Sequence, residues 1–180
     1  MANDFLVSKW KIWYKSLDVN HDGVISKEDV EESRKKFSEL HHLEAEKKKL
    51  VEENFEKWWN DYIFRGKGGE ISETDFVESL NNDLKTDKKK FVDNINKCFN
   101  TIFDVIDTNK DRSISEDEFL IAFKAIGHEN VALDTKFFKA YNPTDGLVPM
   151  TEIVASWVDF VTSDDSSKKS VVKTAFESGV

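Results

Sequence analysis

Asp18, Asn20 and Asp22 stand at alternate positions, Gly23 follows, and Ser26 and Asp29 complete a span of twelve residues. A hard divalent cation takes six to eight oxygens at short range. A twelve-residue loop supplies them from side chains at positions one, three and five, a backbone carbonyl at seven, a direct or water-mediated group at nine and a carboxylate at twelve. Here Val24 offers the carbonyl, Ser26 the ninth group and Asp29 the twelfth. The sixth position must turn sharply, and Gly23 does so without a side-chain clash. An Asp-rich turn alone would not explain the order Asp-x-Asn-x-Asp-Gly. The twelfth position usually carries Glu. Asp29 is one methylene shorter and reaches two-oxygen contact less easily. A six-coordinate site is expected, at which magnesium, with its octahedral preference, competes with calcium.

The pattern recurs. Asp107, Asn109 and Asp111 stand at one, three and five, Ser113 at seven, Ser115 at nine and Glu118 at twelve. Its defect is Arg112 at six, where a left-handed backbone costs a non-glycine residue about 1–2 kcal/mol. That is about tenfold in affinity if the whole strain falls on the bound state. The ligand positions of each span carry three carboxylates, enough to neutralise a divalent ion with one charge over. Two degenerate copies lie at 64–75 and 141–152. The first has Phe64, Gly66 and Gly68 at the ligand positions and no side-chain oxygen among them, so it is predicted to be an empty partner. Its run Gly66-Lys67-Gly68-Gly69 lacks the preceding strand and the Lys-Ser/Thr ending of a phosphate cradle. The second keeps Asp145, Gly146 and Glu152 but has Tyr141 at one and Pro143 at three, and is predicted to be empty as well.

Helices must position these loops. Phe5, Leu6, Trp10, Ile12, Trp13 and Leu17 recur at helical spacing and predict a helix over about 3–17. Val30, Ser33 or Arg34, and Phe37 mark the helix leaving the first loop. Phe99, Ile102, Phe103 and Ile106 lead into the third loop, and Phe119, Ala122, Phe123 and Ile126 lead out. Phe55, Trp59 and Ile63 precede the second loop, with Phe76 and Leu80 after it. Phe137 precedes the fourth, with Ile153 and Trp157 after it. The eighth residues of the four loops are Ile25, Ile71, Ile114 and Val148, all β-branched and apolar. A short antiparallel ladder between paired loops needs that residue type, extended and half buried. The repeat predicts an all-α fold of four helix–loop–helix units in two pairs, first with second and third with fourth, forming one compact body. The pairs are expected over 1–85 and 86–162, with a tail at 163–180 packing on the body. The Glu- and Lys-rich stretch Leu40–Val51 reads as an exposed helix with a bend. Two prolines and seven glycines leave little turn material for a many-stranded alternative.

A net charge of −9 disfavours nucleic acid, whose phosphates require a basic face. The single Cys98 excludes an intramolecular disulfide, fits a reducing compartment and, beside Phe99, reads as core. There is no apolar run of about 18 residues that would span a membrane. Met1-Ala2-Asn3-Asp4 is neither a signal peptide nor a myristoylation site. A soluble, cytoplasmic protein is the expectation. His21, His41, His42 and His128 lack ligand spacing, and no nucleophile-elbow, Walker or zinc pattern appears, so no enzymatic activity is expected.

The stretch from Lys9 to Tyr14, the loop Leu17 to Gly23, the stretch Phe103 to Ser113 and the tail from Trp157 to Ser178 resemble the invertebrate sarcoplasmic calcium-binding proteins of the EF-hand superfamily, above all those of molluscs. The resemblance covers nearly the whole chain. It implies four EF-hands in muscle cytoplasm that buffer calcium and magnesium, with ligands at Asp18, Asn20, Asp22, Val24, Ser26 and Asp29 and at Asp107, Asn109, Asp111, Ser113, Ser115 and Glu118. Family members with a working fourth loop are common, and this chain departs there. Divalent cations are then its partners, in a monomer with no obligate protein partner. Sensors and small-ligand carriers of the luciferin-binding type share the fold. A sensor exposes a Met-rich groove, and this chain has only Met1 and Met150. Photoproteins need a histidine near the C-terminus, and none follows His128.

Overall fold

The computed structural model describes residues 2–180. Asn3 caps the first helix, its side chain accepting from the Leu6 amide at 2.9 Å. This helix, α1 (Asp4–Ser16), buries Leu6, Trp10, Trp13 and Tyr14. The first acidic loop follows and ends in strand β1 (Ile25–Ser26) and helix α2 (Lys27–Leu40). The break after α2 leaves His42 and Ala45 at positive φ. Beyond it runs α3 (Ala45–Trp58), which is mostly exposed except at Phe55 and Trp58. The bend and the solvated face therefore lie where the charge pattern places them.

The helix entering the second loop does not finish as an α-helix. Trp59–Phe64 is wound as a π-helix, closed by Arg65 in the left-handed region at φ 54°. The Arg65 amide donates to the Asn60 carbonyl at 2.9 Å. Wider winding turns Trp59, Ile63 and Phe64 all into the core. Phe64, at the first position of a ligand loop, is thus a core residue. Strand β2 (Glu70–Ile71) and α4 (Glu73–Thr86) complete this unit, and Ser72 caps α4 by accepting from the Asp75 amide at 3.1 Å.

The second half repeats the plan. α5 (Lys88–Ile106) leads to the third loop, β3 (Ser113–Ser115) and α6 (Glu116–Ala125). α7 (Val131–Lys139) leads to the fourth loop, β4 (Leu147–Pro149) and α8 (Met150–Thr162). α9 (Val171–Glu177) folds back against α7 and α8. The ladders form in the predicted register, with Ile25 opposite Ile71 and Ile114 opposite Val148. All four side chains are buried.

The two halves share one aromatic core. α5 packs on α8, α2 on α6, and α1 against both α4 and α8. Trp157 stacks on Phe99 at 5.5 Å between ring centres and meets Phe176 of α9 edge-on at 5.8 Å. Polar anchors fasten α1 to the far end of the chain. Trp10 Nε1 donates to the Val161 carbonyl at 2.8 Å, and buried Lys9 donates to the Ser163 carbonyl beyond the last turn of α8. An ammonium there complements the negative end of the helix.

Candidate metal centres

Two acidic clusters form. One carboxylate oxygen from each of Asp18, Asp22 and Asp29 lies within 4.8 Å of the others, and the same holds for Asp107, Asp111 and Glu118. In both clusters the first and twelfth residues are buried and the fifth is exposed. The floor of each cluster is thus dry and the rim is wet.

The loop backbone holds each acid from behind. Asp18 Oδ2 accepts from the Gly23 amide at 2.8 Å, and Asp107 Oδ2 accepts from the Arg112 amide at 2.9 Å. Asn20 and Asn109 each accept from the amide two residues on, of Asp22 and Asp111. Asp22 accepts in turn from the Val24 amide at 3.0 Å, and Asp111 from Ser113 at 2.9 Å. Each side chain closes a small ring with the backbone, which winds the loop inward. The sixth residues turn as required, Gly23 at φ 90° and Arg112 at φ 64°. The Arg112 side chain leaves the cluster and pairs with Asp104 at 2.5 Å.

The twelfth residues lock the loop to the following helix. Asp29 accepts from the amides of Asn20 (3.1 Å) and Ser26 (2.8 Å), and Glu118 from Thr108 and Ser115, both at 3.0 Å. Ser26 and Ser115 each head a capping box on α2 and α6. Asp29 reaches the amide of the third loop residue, whereas the longer Glu118 reaches that of the second.

The electrostatics of both clusters favour a cation. Burial pushes the Asp29 carboxyl above its ordinary range, the Ser26 and Asn20 amides oppose the shift, and the charges of Asp18 and Asp22 add to it. Asp107 is raised by burial and by the charges of Glu118 and Asp111, against the Arg112 amide. Moreover, Asp107 Oδ1 is buried without a hydrogen-bond partner. Such an atom is costly unless something satisfies it. A hard cation supported by the neighbouring carboxylates fits the donor set, which is all oxygen and includes no imidazole or thiolate.

Comparison with known proteins agrees with this chemistry. The chain is 56% identical over 176 residues to a sarcoplasmic calcium-binding protein of Mizuhopecten yessoensis, covering 97% of this chain and 99% of the relative. The chain belongs to the sarcoplasmic calcium-binding protein family. A second member, from Hediste diversicolor, is 28% identical over 170 residues, covering 94% of this chain and 97% of the relative. Among solved structures, the calcium-loaded apo form of the coelenterazine-binding protein from Renilla muelleri superposes with a TM-score of 0.74 at 24% identity, covering 96% of this chain and 94% of that one. That likeness speaks to the fold alone. No protein-family model matches the chain.

In this sarcoplasmic calcium-binding protein family member the other two loops take different shapes. The second loop turns at Gly66 and Gly68, both at φ 78°, and its Gly69 carbonyl accepts from the Lys27 amide at 2.9 Å. The fourth closes on itself. The Thr144 and Leu147 main chains exchange hydrogen bonds of 2.9 and 3.0 Å across Asp145 and Gly146, both at positive φ, as in a two-residue hairpin. Asp145 and Glu152 are exposed and join neither acidic cluster.

Three supporting residues escaped the motif search. The Tyr14 hydroxyl accepts from the Ile25 amide at 3.0 Å and donates to the Ile71 carbonyl at 2.7 Å, bridging both strands of the first ladder. His21 Nε2 meets the Gly127 carbonyl and His128 Nε2 meets the Ser16 carbonyl, each at 3.0 Å. These two contacts dock the first loop and the end of α1 on the turn between α6 and α7. Apolar spacing marks Tyr14 as a core position, but nothing in the spacing identifies these long-range partners.

Proposed function

We propose that the chain binds two calcium ions, one at each acidic loop, and buffers the free ion rather than relaying a signal. The observation that carries this is the pair of acidic clusters, each of three converging carboxylates held by loop amides, with Asp107 Oδ1 left for a ligand. Asp18, Asn20, Asp22, Asp29 and the carbonyl of Val24 would hold the first ion, with Ser26 directly or through water. Asp107, Asn109, Asp111, Glu118 and the carbonyl of Ser113 would hold the second, with Ser115 in the ninth place. A bound ion supplies positive charge that relieves carboxylate repulsion, and it stabilises the fold by mass action.

Buffering is favoured over sensing because the apolar helix faces are already packed. Met150 is buried, and the exposed large hydrophobic residues among those described are Leu50 and Val131, on different helices. A sensor needs a groove to expose. A carrier of an aromatic ligand is disfavoured by the centre of the core, where Trp13, Phe55, Trp58 and Phe99 leave a cavity of only about 60 Å³. Small-molecule sites are commonly about 300–1,000 Å³.

At the first loop the short Asp29 favours six-coordination, so magnesium occupies it in resting cytoplasm and its release limits calcium uptake. Calorimetric titration with calcium should return two ions for the wild type and one for each of Asp18→Ala and Asp107→Ala. Millimolar magnesium should weaken the first site more than the second and slow calcium uptake in stopped flow. Binding of no ion, or two ions retained in either variant, would refute the assignment.

A further inference from the structure

A cleft of about 500 Å³ opens between α7 and the segment that ends in α9, far from both acidic loops in the sequence. Its floor is apolar, made by Leu133, Phe137, Ala140 and Ala175. Its rim carries four lysines, Lys136, Lys168, Lys169 and Lys173; no lining side chain is acidic, and the α-carboxylate of Val180, which also lines the cleft, is the one negative charge in the lining set against them. In a chain of net charge −9 this is a local reversal of sign. Two of the four are held by carboxylates outside the cleft, Lys168 by Asp159 and Lys173 by Glu177. Lys136 and Lys169 make no ion pair among the described residues and are exposed at the mouth. An apolar floor under unpaired ammonium groups matches a ligand with a hydrocarbon body and one anionic end. The volume lies in the range of small-molecule clefts.

We propose that this cleft binds a small amphipathic carboxylate of the fatty-acid type, its chain against Phe137 and Ala175 and its carboxylate between Lys136 and Lys169. The site shares no lining residue with the ion loops, and its readout is the bound probe rather than calcium. Anchoring by long lysine stems also suits it, because their methylenes extend the apolar wall while the charged heads stay wet.

The calcium-loaded full chain is titrated with dansyl-undecanoate, and the probe is then displaced with decanoate and with decanol. One saturable site is expected, with decanoate displacing the probe at least tenfold more effectively than decanol. Lys136→Glu/Lys169→Glu should weaken binding about tenfold or more, since two attractions of this kind are each replaced by repulsion. Added salt should weaken wild-type binding and, by screening the new repulsion, strengthen that of the double variant. Ala140→Trp, at an exposed position lining the cleft, narrows it and should abolish binding with charge unchanged. Both variants are checked for unaltered far-ultraviolet circular dichroism and calcium stoichiometry. Absence of saturable binding would overturn the proposal, as would binding that survives both variants or equal displacement by decanol.

Discussion

Asp134 is the buried acid with no role in either cluster, and replacing it by Asn tests how well its environment is understood. It lies on α7 with its side chain fully buried, and both carboxylate oxygens lack a hydrogen-bond partner. Burial pushes its pKa from 3.8 up to about 6, with the Lys124 ammonium of α6 offsetting part of the rise. A folded-state pKa above the unfolded one means that the folded protein holds the proton more tightly. The associated stability is complete below the unfolded value near 3.8 and is lost as pH climbs through 6. Above both values the loss amounts to about 3 kcal/mol, of which roughly half has accrued by pH 5. Asp134→Asn removes the titration. Its amide also lacks a buried partner, which costs about 1–3 kcal/mol, but equally at every pH. The variant is therefore expected to gain about 1–1.5 kcal/mol on the wild type between pH 5 and pH 7.5. Urea unfolding followed by tryptophan fluorescence, at matched free calcium, measures this difference. A gap between the two proteins that stays constant over that range would refute the reasoning, whichever protein were the more stable.

Three further outcomes follow from the packing. Gly127→Ala would place a Cβ 2.4 Å from the Val19 carbonyl oxygen at a φ of 92°, so a loss of at least about 2 kcal/mol is expected. Because Val19 belongs to the first loop, calcium titration should show that site weakened and the third-loop site spared. Tyr14→Phe leaves the Ile25 amide and Ile71 carbonyl without their shared hydroxyl, at a cost of about 1–3 kcal/mol, and hydrogen exchange at the Ile25 amide should speed up. Cys98 is buried and burial raises its thiol pKa strongly, so a disulfide reagent should leave it intact in the folded protein and modify it fully in urea.

How far the sequence could be read depended on the range of the interaction. Ligand spacing, the turn at the sixth residue and the β-branched eighth residue are local, and they yielded four units, two acidic loops and the ladder register. The left-handed turn expected at Arg112 is likewise local and is present at φ 64°. The π-helical end at Trp59–Phe64 was not legible, because its apolar spacing fits an ordinary helix and the wider winding is set by three large side chains seeking one core. The Tyr14 bridge, the docking of His21 on Gly127 and the single cleft lined by both Lys136 and Lys169 join residues distant in the chain, which no spacing rule reaches. The second and fourth loops show why the two kinds of signal separate. Binding an ion and pairing a strand are distinct demands on the same twelve residues. Phe64, Gly66 and Gly68 offer no side-chain oxygen to the first demand, yet Ile71 meets the second by completing the ladder that holds Ile25. A loop without ligand oxygens at these positions can therefore still support the shape of its partner. For that reason the eighth residue is a surer guide to the fold than the oxygens that first draw the eye.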